Sequence, residues 1–156
     1  VNAGLFESDF SDATVIALFL LPDINSRLRP KILDMKPGTR VVSNSFTMGE
    51  WKADETANAG NGCGSWCTAY LWIVPAKVEG TWQLPQGELA LKQTFQTVSG
   101  TLRSGNVSTP ITNGRLNGDQ ITFTAGGNQY TGHVNGNVME GNVSSGGSWK
   151  ASRAGK

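Results

Sequence analysis

The residues with the most obvious chemistry are two cysteines and one histidine. The cysteines lie in Gly60-Asn-Gly-Cys-Gly-Ser-Trp-Cys67, and the histidine is His133. Two thiolates cannot complete a four-ligand zinc site, and His133 is far away in sequence. Their spacing is not that of a C-x-x-C redox pair. Cys63 and Cys67 either close a local disulfide or remain free thiols, and free thiols are the plainer expectation. His133 stands beside the Asn135-Gly136 turn signal, so it reads as an exposed strand residue rather than a general base. No Ser–His or His–Asp constellation occurs, no catalytic residue is marked, and no metal site is expected. Asn106-Val-Ser108 and Asn142-Val-Ser144 match glycosylation sequons, which arise by chance in an Asn- and Ser-rich segment.

The chain around these residues divides into two parts of different character. Residues 1–79 hold nine of the twelve acidic residues, and residues 80–156 hold fourteen of the twenty glycines. The first part has seven basic against nine acidic residues, the second six against three. This shift predicts two structural units that meet near Glu79-Gly80. The overall charge of +1 gives no electrostatic case for nucleic acid. The longest apolar run, Ala13 to Pro22, is far short of the ~20 residues a membrane helix needs. No basic region precedes it and no cleavage site follows, so it is not a signal peptide. The chain opens at Val1 without Met, and the expectation is an excised fragment. Localisation is open: cytoplasmic by default, with an exported compartment still allowed.

Ala13 to Leu21 reads as a strand buried on both faces, as in a parallel sheet covered by helices. Pro22 stops it and Asp23 can cap a helix. Ile24, Leu28, Ile32 and Met35 fall at helical spacing, and Pro30 predicts two short helices or a kink. Lys36-Pro-Gly-Thr39 ends the helix, and Arg40 to Phe46 is the next strand, giving a right-handed βαβ crossover. Lys52 to Trp66 reads as a polar loop. Cys67 to Pro75 and Lys77 to Leu84 read as strands. Beyond residue 80, Glu88 to Leu102 largely alternates, with Leu89, Leu91 and Phe95 on one face and Gln93 as the exception. Asn117-Gly118, Gly126-Gly127 and Asn135-Gly136 mark turns of a meander of about six to eight short strands. Gly80-Thr-Trp82 and Gly147-Ser-Trp149 look alike, and pairing the last strand with the first would remove the exposed edges.

Several motifs together resemble a branch of the class I S-adenosylmethionine-dependent methyltransferases. They are Leu5 to Pro22, Leu28-Arg-Pro-Lys-Ile-Leu33, Lys36-Pro-Gly-Thr-Arg-Val-Val-Ser43 and Phe46-Thr-Met-Gly-Glu-Trp51, in the right order and about a third of the chain. The resemblance implies that Leu18-Phe-Leu-Leu-Pro22 is the family's fourth strand with the motif at its carboxyl end and that Lys36-Pro-Gly-Thr-Arg-Val-Val42 is the start of its fifth. It implies that Tyr70 to Pro75 and Val78 to Trp82 are the antiparallel pair closing that sheet. The expected fold is α+β: the C-terminal half of a Rossmann-like methyltransferase over residues 1–79, then a Gly-rich antiparallel meander or small barrel over 80–156.

In that fold ligands sit at the carboxyl ends of the parallel strands. The resemblance places the methyl acceptor there, with Leu21, Pro22 and Asp23 after the fourth strand and Phe46, Met48 and Trp51 after the fifth. The ordinary alternative makes Pro22 and Asp23 a strand stop and helix cap, and Phe46 and Trp51 core aromatics. The family's Gly-rich cofactor loop and the acidic residue after its second strand have no counterpart in this sequence. The family's adenine-contacting position falls on Gly4, with Asn2 nearby. The cofactor-binding residues are therefore unknown, and S-adenosylmethionine would be a cofactor of an intact parent protein. The expected function is methyl transfer to a protein or small-molecule acceptor, with this chain inactive alone. The alternative is a non-catalytic β-rich module for binding or oligomerisation. An unpaired sheet edge predicts a homodimer or domain swap.

Overall fold

The computed structural model describes residues 3–155, which fall into two compact units divided between Val74 and Pro75. The first is a mixed sheet of four strands with one helix; the second is a closed antiparallel barrel of eight strands. No helix among the described residues is long and apolar enough to cross a membrane.

In the first unit, strand β1 (Val15–Leu18) leads through helix α1 (Pro22–Leu33) to the parallel strand β2 (Arg40–Asn44), the βαβ crossover the sequence predicts. Strands β3 (Glu55–Asn58) and β4 (Thr68–Ile73) complete the sheet in the order β1-β2-β4-β3. Leu28 and Ile32 on α1, Val41 on β2 and Trp72 on β4 are all at most 2% exposed and form its core with Met48, Trp51 and Val74. The indole N–H of Trp72 donates to the Trp51 carbonyl at 2.7 Å, which allows a polar atom to sit in that core.

Four expectations are corrected here. Of the two short helices or kink expected at Pro30, the two-helix form is overturned: the helix is one continuous piece with Pro30 inside it. An interior proline costs ~3 kcal/mol. Full burial of Leu28 and Ile32, ~1.5–3 kcal/mol each, outweighs that on one shared face. Leu21, not Asp23, is the N-cap residue and makes no side-chain cap bond; Pro22 takes the start of the helix and Asp23 lies in its first turn. Strand β1 is not buried on both faces: it pairs only with β2 among the described residues, and Val15 is 52% exposed. Part of the expected loop is β3, an all-exposed edge strand whose Glu-Thr-Ala-Asn carries no alternation to betray it.

The barrel runs through β5 (Gly80–Leu84), β6 (Gly87–Thr94), β7 (Thr97–Ser104), β8 (Val107–Asn117), β9 (Gln120–Ala125), β10 (Asn128–Asn135), β11 (Val138–Val143) and β12 (Ser148–Arg153). Each pairs with the next, and β12 closes on β5 through Ser152↔Gln83 and Arg153↔Trp82. Closure leaves no strand edge. Thus Gly80 to Trp82 pairs with β6 and β12, not with Tyr70 to Pro75, which pairs with β2 and β3 instead. Trp82, Leu89, Ile121, Phe123 and Met139 fill the interior at 1% exposure or less. Gly132 is required beside the Trp149 ring, because a Cβ there would lie 2.7 Å from Cζ2.

Glu88 to Leu102 is a hairpin rather than one strand. Its turn is at Phe95, which adopts φ 53° and leaves the face of Leu89 and Leu91. Gln93, the polar exception, donates through Nε2 to the Ala76 and Phe95 carbonyls, both at 2.8 Å, and accepts from Val78 N at 2.7 Å. It therefore secures the chain entering the barrel.

Candidate functional site

The parallel strands β1 and β2 define a carboxyl edge in the first unit, the place where open α/β sheets bind ligands. After β1 the chain runs Phe19-Leu20-Leu21-Pro22 into α1, and Phe19 and Leu21 are each 60% exposed. After β2 it reverses at Ser45, where φ is 65° and Phe46 N donates to the Asn44 carbonyl at 2.8 Å. That bond across one residue with positive φ is a γ-turn, a strained geometry for a residue with a side chain. The Ser45 hydroxyl donates to Asn44 Oδ1 at 2.7 Å. The turn brings Phe46 against Phe19, with ring centroids 5.7 Å apart.

A third ring arrives from the loop between β3 and β4. Cys63 and Cys67 form a disulfide, which corrects the expectation of free thiols. Ala59 N donates to the Cys67 carbonyl at 2.8 Å and closes the loop's base, and Trp66 N donates to the Cys63 carbonyl at 3.1 Å. Trp66, held inside this cross-link, lies 5.4 Å from Phe19 and 5.8 Å from Phe46, edge-to-face to both. It is 51% exposed.

The six residues expected at the acceptor site separate in the structure. Leu21, Pro22 and Asp23 are exposed at the start of α1, and Phe46 is half-buried at the carboxyl edge. Met48 and Trp51 are fully buried and bridge each other in the core beneath. The segment that carries them is tied to the helix: Arg29 Nη1 donates to the Met48 carbonyl at 2.9 Å, and Asn25 Nδ2 to the Thr47 carbonyl at 3.1 Å. Sequence reasoning missed Phe19 and Trp66. Phe19 was hidden in an apolar run that reads as core, and Trp66 in a loop that looks featureless. The one signal for Trp66 was its place between two cysteines.

Among the described residues, no three or more His, Cys, Asp or Glu side chains converge as a metal site. The one turn from a parallel strand into a helix contains no glycine, and its cap position holds Leu21. A Gly-rich cradle for a nucleotide-bearing cofactor does not fit there. Asn2 lies outside the described residues, and Gly4 accepts backbone bonds from Glu7 and Ser8. In the barrel His133 is exposed, with Nδ1 3.6 Å from Asp119 Oδ2. Asn106 lies in the exposed β7–β8 turn and Asn142 on the exposed side of β11.

Comparison with known proteins adds to this geometry. Residues 1–55 match the ANTKMT methyltransferase domain. The chain is 40% identical over 75 residues to a protein-lysine N-methyltransferase of Saccharolobus islandicus (strain REY15A), covering 47% of this chain and 46% of that protein. It is also 40% identical to an RNA methyltransferase from Salinibacter ruber whose crystal structure holds S-adenosyl-L-homocysteine. That match covers 50% of this chain and 48% of the other, with a TM-score of 0.45. The chain therefore spans less than half the length of either relative.

Proposed function

We propose that this chain, with a methyltransferase segment in its N-terminal part, is the acceptor-side portion of an S-adenosylmethionine-dependent methyltransferase that modifies lysine side chains of a protein. The observation that carries this reading is the 40% identity to a protein-lysine N-methyltransferase over 75 residues. Beside it stands the carboxyl edge where β1 and β2 end, with Phe19 and Leu21 exposed there. Methyl transfer needs its two reactants held close and in line more than it needs an acid or base. Leu21, Pro22, Asp23 and Phe46 are suited to holding and orienting an acceptor. Met48 and Trp51 anchor the segment that follows Phe46 in the core. The turn before α1 contains no glycine and offers no cradle for the cofactor, so no described residue is assigned to it. The Cys63–Cys67 disulfide favours an oxidising, exported compartment as part of the same reading.

Two measurements test the proposal. Calorimetric titration of this chain with S-adenosylhomocysteine, reaching millimolar concentrations, is expected to give no heat. Clear one-to-one binding would mean that the chain builds a cofactor pocket by itself and is not a portion. The intact protein, incubated with labelled S-adenosylmethionine and separate pools of protein, RNA and small amines, is expected to label protein lysine. Label confined to RNA or small amines would overturn the acceptor assignment.

A further inference from the structure

We infer that Phe19, Phe46 and Trp66 form a recognition surface for the ammonium group of the acceptor, with the Cys63–Cys67 disulfide as the clamp that holds Trp66 in place. The inference deepens the lysine reading above and rests on it for the identity of the acceptor. The three rings come from separate segments and pack at 5.7, 5.4 and 5.8 Å between centroids. Rings gathered for stability alone would sink into the core, as Trp51 and Trp72 do in the same unit at 0% exposure. Phe19 and Trp66 instead keep 60% and 51% of their surface in water.

Two local devices hold this exposed cluster. The γ-turn at Ser45 keeps a residue with a side chain at φ 65° to aim Phe46. The disulfide restrains the loop that presents Trp66. Strain and cross-linking at an exposed cluster preorganise a surface for a ligand.

The chemistry of the ligand follows from the rings. An aromatic face attracts a cation electrostatically, and most strongly a poorly hydrated one. A lysine ammonium keeps its positive charge when one, two or three methyl groups are added, while its hydration weakens. The same surface can therefore hold the acceptor through successive transfers. The unit already uses such contacts internally: the Arg27 guanidinium lies 4.2 Å from the Phe6 ring centroid and Lys31 Nζ 4.6 Å from that of Phe10. Residues 1–74 also carry eight acidic against six basic side chains, a balance that favours a cationic partner.

The test needs no cofactor, so its outcome is separate from that of the methylation assay. The chain is titrated with tetramethylammonium chloride at constant ionic strength, and with neopentyl alcohol as a neutral probe of similar shape. The Trp66 indole resonance is assigned with Trp66→Phe. The cation is expected to shift the Trp66 signal and to bind about two- to fivefold more tightly than the alcohol. Trp66→Ala, at an exposed loop position, should abolish the shifts of the Phe19 and Phe46 rings, whereas Trp66→Phe should retain most of them. The Cys63→Ser/Cys67→Ser double variant should weaken cation binding several-fold. Equal binding of the alcohol would overturn the inference and make the cluster an apolar seat for another protein segment. A Trp66 signal unmoved by the cation would overturn it as well. Cation binding without lysine methylation by the intact protein would leave the surface standing and remove lysine as its acceptor.

Discussion

Among the described residues, Leu5, Phe6, Val15, Phe19, Leu21, Val42 and Trp66 are large hydrophobic side chains left exposed in the first unit, against Val107 in the barrel. Both units are built on β-sheet, yet they treat their edges in opposite ways. Each barrel strand has two neighbours, so its backbone groups are paired and its apolar side chains turn inward. In the first unit β1 has, among the described residues, a neighbour on one side only, and the sheet face bearing Val15 and Val42 stays in water. A closed sheet of short, Gly-punctuated strands is self-sufficient. An open sheet with an apolar edge strand is addressed to a further surface.

The sharpest way to break this comparison is to separate the units. Residues 75–156 alone are expected to melt cooperatively and reversibly, with near-ultraviolet dichroism from the packed Trp82 and Trp149. Residues 1–74 alone are expected to show no cooperative melt and to associate. A monomeric, cooperatively melting 1–74 would show that the open sheet needs nothing more.

Single substitutions come next in size. Trp82 is 0% exposed and its Nε1 donates to the Val78 carbonyl at 2.8 Å. Trp82→Ala is expected to cost about 3–5 kcal/mol in chemical denaturation of the barrel, because burial and a cavity act together. Val107 is 65% exposed, and Val107→Thr should change stability by less than about 0.5 kcal/mol. A Trp82→Ala loss under about 1 kcal/mol would mean that the barrel interior is loosely packed.

The same contrast explains what could be read from the sequence. The barrel was legible as a meander because period-two alternation and glycine turns are local signals. Its turns at Gly118 and Gly136 use glycine as the first loop residue, at φ 60° and 59°, as a type II′ turn requires. The hairpin at Phe95 was missed, since no residue type announces a phenylalanine at positive φ. The crossover β1-α1-β2 was legible from its apolar run and helical spacing. The exposure of β1 was not, because an apolar strand reads as buried whether or not anything covers it. At the site, Phe46 could be named from its motif, and Met48 and Trp51 carried the same motif. Which of them reaches the edge depends on Ser45, Asn25 and Arg29, whose contacts span distant parts of the chain. The ring partners of Phe46 depend on a cross-link and on the β3–β4 pairing, neither of which has a period to detect.

A smaller effect is expected at the edge of β1. Val15 is half in water, so Val15→Lys should leave stability within about 0.5 kcal/mol. It should nonetheless suppress self-association of the chain, because a lysine on an edge strand discourages pairing with a second copy. Sedimentation or light scattering over a tenfold concentration range reads this directly. A wild-type chain that is strictly monomeric across that range would remove the homodimer from consideration and leave the edge for another partner.

The smallest effect separates the units by pH. Residues 4–13 are tied to α1 where Lys31 Nζ donates to the carbonyls of Phe6 and Ser8, and within the segment Ser11 N donates to Asp9 Oδ1 at 2.9 Å. The Ser11 backbone N–H above all, with its hydroxyl and the charge of Lys31, holds the Asp9 carboxyl below its ordinary 3.8. A carboxyl lowered by folding adds stability that is present above its unfolded value and lost as pH falls through the folded one. Acidification below about pH 4 should therefore loosen this arm first. The protection of the Ser11 amide, its rate relative to that of an unstructured amide at the same pH, should fall there while amides of the barrel strands stay protected. Asp9→Asn removes the carboxylate at every pH, so its Ser11 protection should lose this acid dependence. If wild type and Asp9→Asn exchange alike through that range, the carboxylate does not hold the arm, and the aromatic contacts of Phe6 and Phe10 with Arg27 and Lys31 hold it instead.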